Sequence, residues 1–219
     1  AGVETQYIVQ SEAGQTGYSV ILTSYEGERS ILAYRGVNTQ LTFAELNTEA
    51  LKSTNWIYVS SLSGEADALL EPLFDFALQH GLRVAFNPGG TQLKSAPERM
   101  QHLLRAVDLL FVNKEEAARL TGLPLIKPLP EHLRVPGEDM GTSSTPTRPP
   151  YMYDLSAHLE ALKTQIRGAV VITDGSRGTQ AYDGEAFYAM PVYPTEVSDV
   201  LGAGDAFGSA CTAAHILGH

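Results

Sequence analysis

Tyr18, Val20 and Leu22 point to one side of an extended segment while Ser19, Ile21 and Thr23 point to the other, and after Glu26-Gly27 a second alternating run covers Arg29 to Tyr34. A period of two on both sides of a glycine turn predicts a β-hairpin. Its two faces are similarly mixed, which suits a flap or a partner-facing sheet as well as an ordinary hairpin. From Leu41 the period changes. Thr42 and Glu45 have capping-box spacing and Leu41 with Leu46 suits a hydrophobic staple, so a helix is predicted to about Ser53. A strand follows over Trp56 to Ser60, then a helix from Ala66 to His80, closed by Gly81, with Pro72 as a kink or early-turn residue. Arg83 to Asn87 reads as a strand. Ser95 and Glu98 again have capping-box spacing and start a helix to about Val107, before a strand from Leu109 to Val112 and a short helix from Asn113 to Leu120, ended by Gly122 and Pro124.

Regularity resumes with a helix from about Tyr153 to Arg167 and a strand from Ala169 to Thr173. A second hairpin is predicted, with Asp183-Gly184 turning between Thr179 to Tyr182 and Glu185 to Met190. The last element is a helix from Ala206 to Leu217 with Phe207, Ala210, Cys211, Ala214 and Leu217 on one apolar stripe. Strands alternating with helices predict an α/β fold: a mostly parallel sheet with helices on both faces, spanning 39–219, preceded by a lid or hairpin region at 1–38. Between Leu123 and Pro150 the rhythm breaks. Seven of the 12 prolines lie there, with a Gly-Thr-Ser-Ser-Thr run, so 123–150 is expected to be a surface insertion, or alternatively a lid or partner loop, rather than a core element.

Composition narrows the class. Hydrophobic residues make up 43% and charged residues 18%, which is ordinary for a globular chain of 219 residues. The net charge of -10 argues against a nucleic-acid or anionic-membrane partner. A single cysteine, Cys211, excludes an internal disulfide framework and suits a reducing, cytoplasmic setting. No apolar run is long enough to span a bilayer as a helix. Residue 1 is Ala and the chain stops soon after its most distinctive helix begins, which predicts a fragment of a longer polypeptide.

Four stretches carry candidate chemistry. In Ser198 to Gly208, Gly202-Ala203-Gly204-Asp205 opens the last helix, so backbone N–H groups and the positive end of a helix dipole converge where an anion would sit. Asp205 would repel a phosphate merely stored there, which points to a reaction. A dinucleotide-binding turn fits poorly, because Phe207 stands where the third glycine is required. Asn113-Lys114-Glu115-Glu116 is a capping box by spacing, and equally a place where Asn113 and Glu116 organise a metal ion or its waters at a strand end. Thr173 to Gly178 runs from a strand into a turn whose glycines let a nucleotide approach, with Thr173 and Arg177 offering a hydroxyl and a charge; a plain chain reversal explains it too. Asn87-Pro88-Gly89-Gly90 is a strand-end turn that also suits a substrate contact. The six histidines show no zinc-binding spacing, and no Gly-x-Ser-x-Gly elbow is present.

The order of these stretches, from Gly36-Val37-Asn38 to the final helix, resembles the ribokinase-like carbohydrate kinases of the phosphofructokinase B type. Gly-Ala-Gly-Asp followed by Ala-Phe is the most specific piece, supported by the N-x-x-E element before it. The resemblance implies a ribokinase-like fold and ATP-dependent phosphorylation of a sugar or nucleoside hydroxyl. It makes Asp205 the catalytic base and Gly202, Ala203 and Gly204 the anion hole. Asn113 and Glu116 would organise Mg²⁺ and phosphates, and Thr173, Gly175, Arg177 and Gly178 would line the ATP site. Asn38 and Asn87 are the implied substrate contacts, and Asp199 is the candidate for a K⁺ site. The hairpin resembles the family's substrate lid, through which a homodimer can form. Departures stand out: Val200 and Leu201 replace the usual small polar residue before the glycine turn, and Ala85 stands where many relatives carry an acid. The family's first strands and last helices have no counterpart, so the 219 residues alone are expected to be a poor kinase. A vitamin or pyrimidine-alcohol kinase of the same fold, and a non-catalytic nucleotide- or sugar-binding protein, are the alternatives.

Overall fold

The computed structural model describes residues 4–23, 29–126, 153–196 and 200–218. Strands β1 (Thr16–Thr23) and β2 (Arg29–Gly36) pair antiparallel as a separate two-stranded sheet. The pairs Tyr18↔Tyr34 and Val20↔Leu32 place the larger apolar side chains, with Leu22, on one face, where they stay exposed; Leu32 is 61% exposed. The opposite face carries Ser19, Ala33 and the pair Ile21↔Ile31, so both faces are mixed, as the alternation predicts.

A six-stranded sheet forms the body, in the order β3 (Trp56–Val59), β4 (Arg83–Phe86), β5 (Val107–Asn113), β6 (Ala169–Thr173), β7 (Thr179–Tyr182), β8 (Phe187–Met190). The pairs from β3 to β6 are parallel, and β7 and β8 are added antiparallel. Asp183 makes the β7–β8 turn by accepting from the amides of Glu185 and Ala186 at 2.7 and 2.8 Å.

Alternation along the strands assigns the two faces. Val84, Phe86, Leu110, Val112, Val170 and Ile172 join one core with residues of helices α2 (Leu70–Gln79), α3 (Pro97–Leu104), α4 (Lys114–Thr121) and α5 (Ser156–Lys163). Phe74 of α2 meets Phe86 edge to face at 5.1 Å; burying such a side chain contributes roughly 1.5–3 kcal/mol. On the other face Ala85, Leu109, Phe111 and Val171 meet Phe207 and Cys211 of the last helix, α6 (Ala203–Ile216). Helices therefore lie on both faces. No helix among the described residues is long and apolar enough to cross a membrane.

Several boundaries differ from expectation. The helix predicted from Leu41 to Ser53 is broken at Leu46, whose backbone is extended; Thr42 caps only a single 3₁₀ turn, and Asn47 caps a second start, α1 (Thr48–Lys52). The break lets Leu41, Phe43, Leu46 and Leu51 all reach the core. Ser95 caps nothing in α3: its hydroxyl donates to the Gln92 carbonyl, and Pro97 opens the helix, as its fixed φ favours. Strand β5 starts two residues early because Asp108 sits in a bulge between the pairs Val84↔Val107 and Ala85↔Leu109, its carboxylate accepting from the Val84 amide at 2.9 Å. Helix α5 begins only at Ser156, since Asp154 bridges to Ile126 and binds the Ser156 hydroxyl. The Pro-rich insertion lies mostly outside the described residues. Helix α6 starts at Ala203 rather than Ala206, and its inner face is Phe207, Gly208, Cys211 and Thr212, while Ala210 and Leu217 of the expected stripe are exposed.

Candidate active site

Ligands of open α/β sheets collect where strands end at their carboxyl ends. There a cleft of about 190 Å³ is lined by Asn87, Phe111, Val112, Asn113, Glu116, Thr173, Gly202, Gly204, Asp205 and Phe207. They come from the ends of β4, β5 and β6 and from the starts of α4 and α6. Asn87 follows β4 and donates its amide to the Val59 carbonyl at 2.9 Å. Asn113 and Thr173 are the last cross-strand pair of β5 and β6. Phe111 and Phe207 meet edge to face at 6.3 Å and form the apolar wall.

Asn113 and Glu116 do form the capping box. Asn113 Oδ1 accepts from the Glu116 amide, and a Glu116 carboxylate oxygen accepts from the Asn113 amide, both at 2.8 Å. The structural and functional readings of the motif coexist, because both residues also line the cleft. Burial raises the Glu116 pKa above its ordinary value; Glu115 adds to this, while the Asn113 amide and Arg119 offset part of it.

The glycine turn is part of the helix itself. Gly202 holds the left-handed conformation, φ 71°, as the cap residue of α6, which puts Asp205 in the first turn at the cleft. No side chain caps this start. The Ala203 amide donates to the Val200 carbonyl at 3.2 Å, and the residues of the glycine turn that line the cleft are Gly202, Gly204 and Asp205.

Other candidates stand elsewhere. Asn38 does not line the cleft; its Oδ1 accepts from the Gly17 amide at 3.0 Å and closes the base of the hairpin. Gly175, Arg177 and Gly178 form the turn after β6, outside the cleft lining. Gly178 has φ 101°, and a β-carbon there would lie 2.1 Å from the Met190 carbonyl oxygen, so its glycine serves the approach of β8. The Arg177 guanidinium lies 4.8 Å from the centre of the Tyr153 ring. Asp199 lies outside the described residues.

Sequence reasoning missed two features beside the cleft. Tyr58 Oη is buried and lacks a well-formed hydrogen bond; burial and the Asp205 charge raise its pKa, and the neighbouring Asn87 side chain offsets part of that. The second is the ion pair of Lys114 and Asp174, 2.6 Å apart. Burial opposes the Lys114 charge, yet Asp174 and Glu115 outweigh it and hold its pKa above the ordinary value. Each partner adjoins a recognised site residue, but only the β5–β6 pairing brings them together.

The described residues contain no cluster of three or more His, Cys, Asp or Glu side chains fit to hold a metal alone. Two carboxylates, Glu116 and Asp205, do line one cleft. That donor set fits a hard divalent ion which keeps water and takes phosphate oxygens as further ligands.

Known proteins resemble this chain. The pattern of the pfkB family carbohydrate kinases matches residues 1–219. A ribokinase of Staphylococcus aureus is 25% identical over 209 residues, covering 94% of this chain and 59% of that protein. An ATP-dependent ribose-1-phosphate kinase of Halopiger xanaduensis is 24% identical, covering 95% of this chain and 57% of that protein. The structure of Arabidopsis thaliana ribokinase complexed with ribose and ATP superposes with a TM-score of 0.72 at 21% identity, covering 99% of this chain and 62% of that one. The chain thus spans less than two thirds of each of these proteins.

Proposed function

This chain belongs to the pfkB family of carbohydrate kinases, and from that premise we propose that it serves ATP-dependent phosphorylation of a sugar or nucleoside hydroxyl. One observation carries the reading: Asp205, at the amino end of α6, shares a cleft with Asn113, Glu116 and Thr173 from the ends of the central strands. Phosphoryl transfer asks a protein for position and charge stabilisation rather than covalent chemistry.

Asp205 is the base. Its carboxylate takes the proton of the acceptor hydroxyl as that oxygen forms a bond to the γ-phosphorus; the bond from the γ-phosphorus to the bridging oxygen breaks, and ADP leaves with the electron pair. The first-turn amides of Gly204 and Asp205 face the oxygens of the moving phosphoryl group, where one such donor is worth about 3 kcal/mol in a transition state. Mg²⁺, held through Glu116 with Asn113 orienting that carboxylate, would supply positive charge to the phosphates when bound. Thr173 and the turn through Gly175 and Gly178 border the nucleotide, and Asn87 faces the acceptor. The hairpin acts as the lid, its exposed apolar face meeting a second copy of the chain.

The test is γ-phosphate transfer from ATP by the full-length protein to pentoses, hexoses and nucleosides. Similarity to ribokinases puts ribose first in that panel. Asp205→Asn is expected to lower kcat by about 10²–10⁴-fold, the usual worth of a positioned base. Turnover retained by Asp205→Asn would overturn this mechanism.

A further inference from the structure

The last ladder pair of β5 and β6 is Asn113 and Thr173, and the next residue on each side, Lys114 and Asp174, continues the contact as an ion pair of 2.6 Å. The Asp174 side chain is 1% exposed and that of Lys114 17%. Asp174 also organises the turn that follows: its amide donates to the Gly178 carbonyl at 2.8 Å, and its carbonyl accepts from the Arg177 amide at 3.0 Å. Lys114 opens the helix that carries Glu116. Tyr153 roofs the pair, with Lys114 Nζ 5.2 Å and the Arg177 guanidinium carbon 4.8 Å from its ring centre. The Tyr153 carbonyl in turn accepts from the buried Gln180 of β7 at 2.7 Å.

We propose that Lys114 and Asp174 are positioning residues for the nucleotide: their ion pair sets the glycine turn after β6 at a fixed height against the first turn of α4. The inference rests on the kinase reading of the cleft. A buried ion pair contributes little net stability compared with apolar residues of similar volume, whereas a broken one strands a charge. What the pair supplies here is direction. It joins the turn flanked by Thr173 and Gly178 to the helix start held by Asn113 and Glu116, so the two sides of a phosphate chain meet walls of constant spacing. Neither Lys114 nor Arg177 lines the cleft, and both lie against Tyr153, which makes their role one of scaffolding rather than phosphate contact.

The experiment compares wild type, Asp174→Asn, Lys114→Met, Lys114→Arg and the apolar pair Lys114→Met/Asp174→Leu in the full-length protein, by ATP binding and by steady-state kinetics. Asp174→Asn and Lys114→Met are each expected to raise the Kd and KM for ATP by about tenfold, within the range of coupling between contacting residues. The KM for the sugar and kcat should change by less than about twofold. Lys114→Arg should restore most of the ATP affinity. The apolar pair removes both charges together and leaves Arg177, whose side chain is 40% exposed, to solvent, so it is expected to fold even if the single variants do not, and it should still bind ATP weakly. Wild-type ATP affinity in the apolar pair, or equal losses in both KM values and kcat, overturns the proposal while leaving the kinase reading intact. A wild-type protein that does not bind ATP overturns both.

Discussion

The backbone of Gly208 in α6 rests against the hydroxyl of Tyr58 in β3: a β-carbon on residue 208 would lie 2.6 Å from Oη. Gly208 is one turn after Gly204, so this contact sets how closely the amino end of α6 approaches the sheet. Gly208→Ala is expected to push the helix outward and destabilise the protein by about 1–3 kcal/mol, the usual penalty of overpacking. Activity should fall further than stability, because Asp205 moves with the helix. Tyr58→Phe in the same chain removes the clashing oxygen and should recover both, as thermal melts and turnover would read. If Tyr58→Phe brings no recovery, the clash is not the cause.

Glu116 gives a prediction about pH. Its folded-state pKa is raised above the ordinary 4.5, chiefly by burial. A raised carboxyl binds its proton more tightly in the folded state, so its contribution to stability is full below the unfolded pKa and is lost as pH rises through the folded one. Glu116→Gln keeps the acceptor of the capping box and carries no charge. The variant should therefore melt no lower than wild type near pH 7, and the difference between them should shift against the variant as pH drops below the unfolded value. Its activity should fall at least about tenfold, as expected for loss of a group that orients a metal ion. A variant much less stable than wild type at pH 7 would show that the ionised carboxylate is favourable there.

Gly178 tests the division between scaffold and site. With φ 101° and the Met190 carbonyl oxygen 2.1 Å from a virtual β-carbon, Gly178→Ala strains the backbone and spreads β7 from β8. A loss of about 1–3 kcal/mol follows from strain of this kind. Gly175 is open around its α-carbon but has φ 54°, so Gly175→Ala meets conformational strain alone. Denaturant unfolding should rank Gly178→Ala as the more damaging change; the reverse ranking would contradict the close approach of β8.

The hairpin supplies the last prediction. Tyr18, Val20, Leu32 and Tyr34 are exposed together on one face, with the rings of Tyr18 and Tyr34 5.2 Å apart. Apolar clusters of this kind mark interaction surfaces. Leu32→Glu is expected to leave the melting temperature nearly unchanged and to convert a dimer to a monomer in sedimentation. A wild-type protein that is monomeric at high concentration would remove the second copy as the occupant of this face.

Rules that act within a few residues were readable along the chain. The Asn113–Glu116 capping box, the Asp183 turn and the helix opened by Gly202 all depend on groups at most four positions apart, whose hydrogen bonds close locally. The motif order was readable for the same reason, since Gly202 to Asp205 and Asn113 to Glu116 are each local units. Local rules failed where a distant contact outbid them. Leu46 left helical geometry so that residues on both sides of it could reach the core, and Asp108 entered β5 because the Val84 amide of the next strand needed an acceptor.

Adjacency between distant segments was decided in three dimensions. Asn113 and Thr173 become neighbours only because β5 pairs with β6, and that pairing also creates the Lys114–Asp174 contact. Arg177, placed by its charge among the nucleotide contacts, lies against Tyr153 and Asp174. The inner face of α6 is chosen by Ala85, Leu109, Phe111 and Val171 beneath it, which accept Phe207 and Cys211 and leave Leu217 in water. Periodicity offers a helix several rotations of similar hydrophobicity, and only the shape of the surface it meets selects among them.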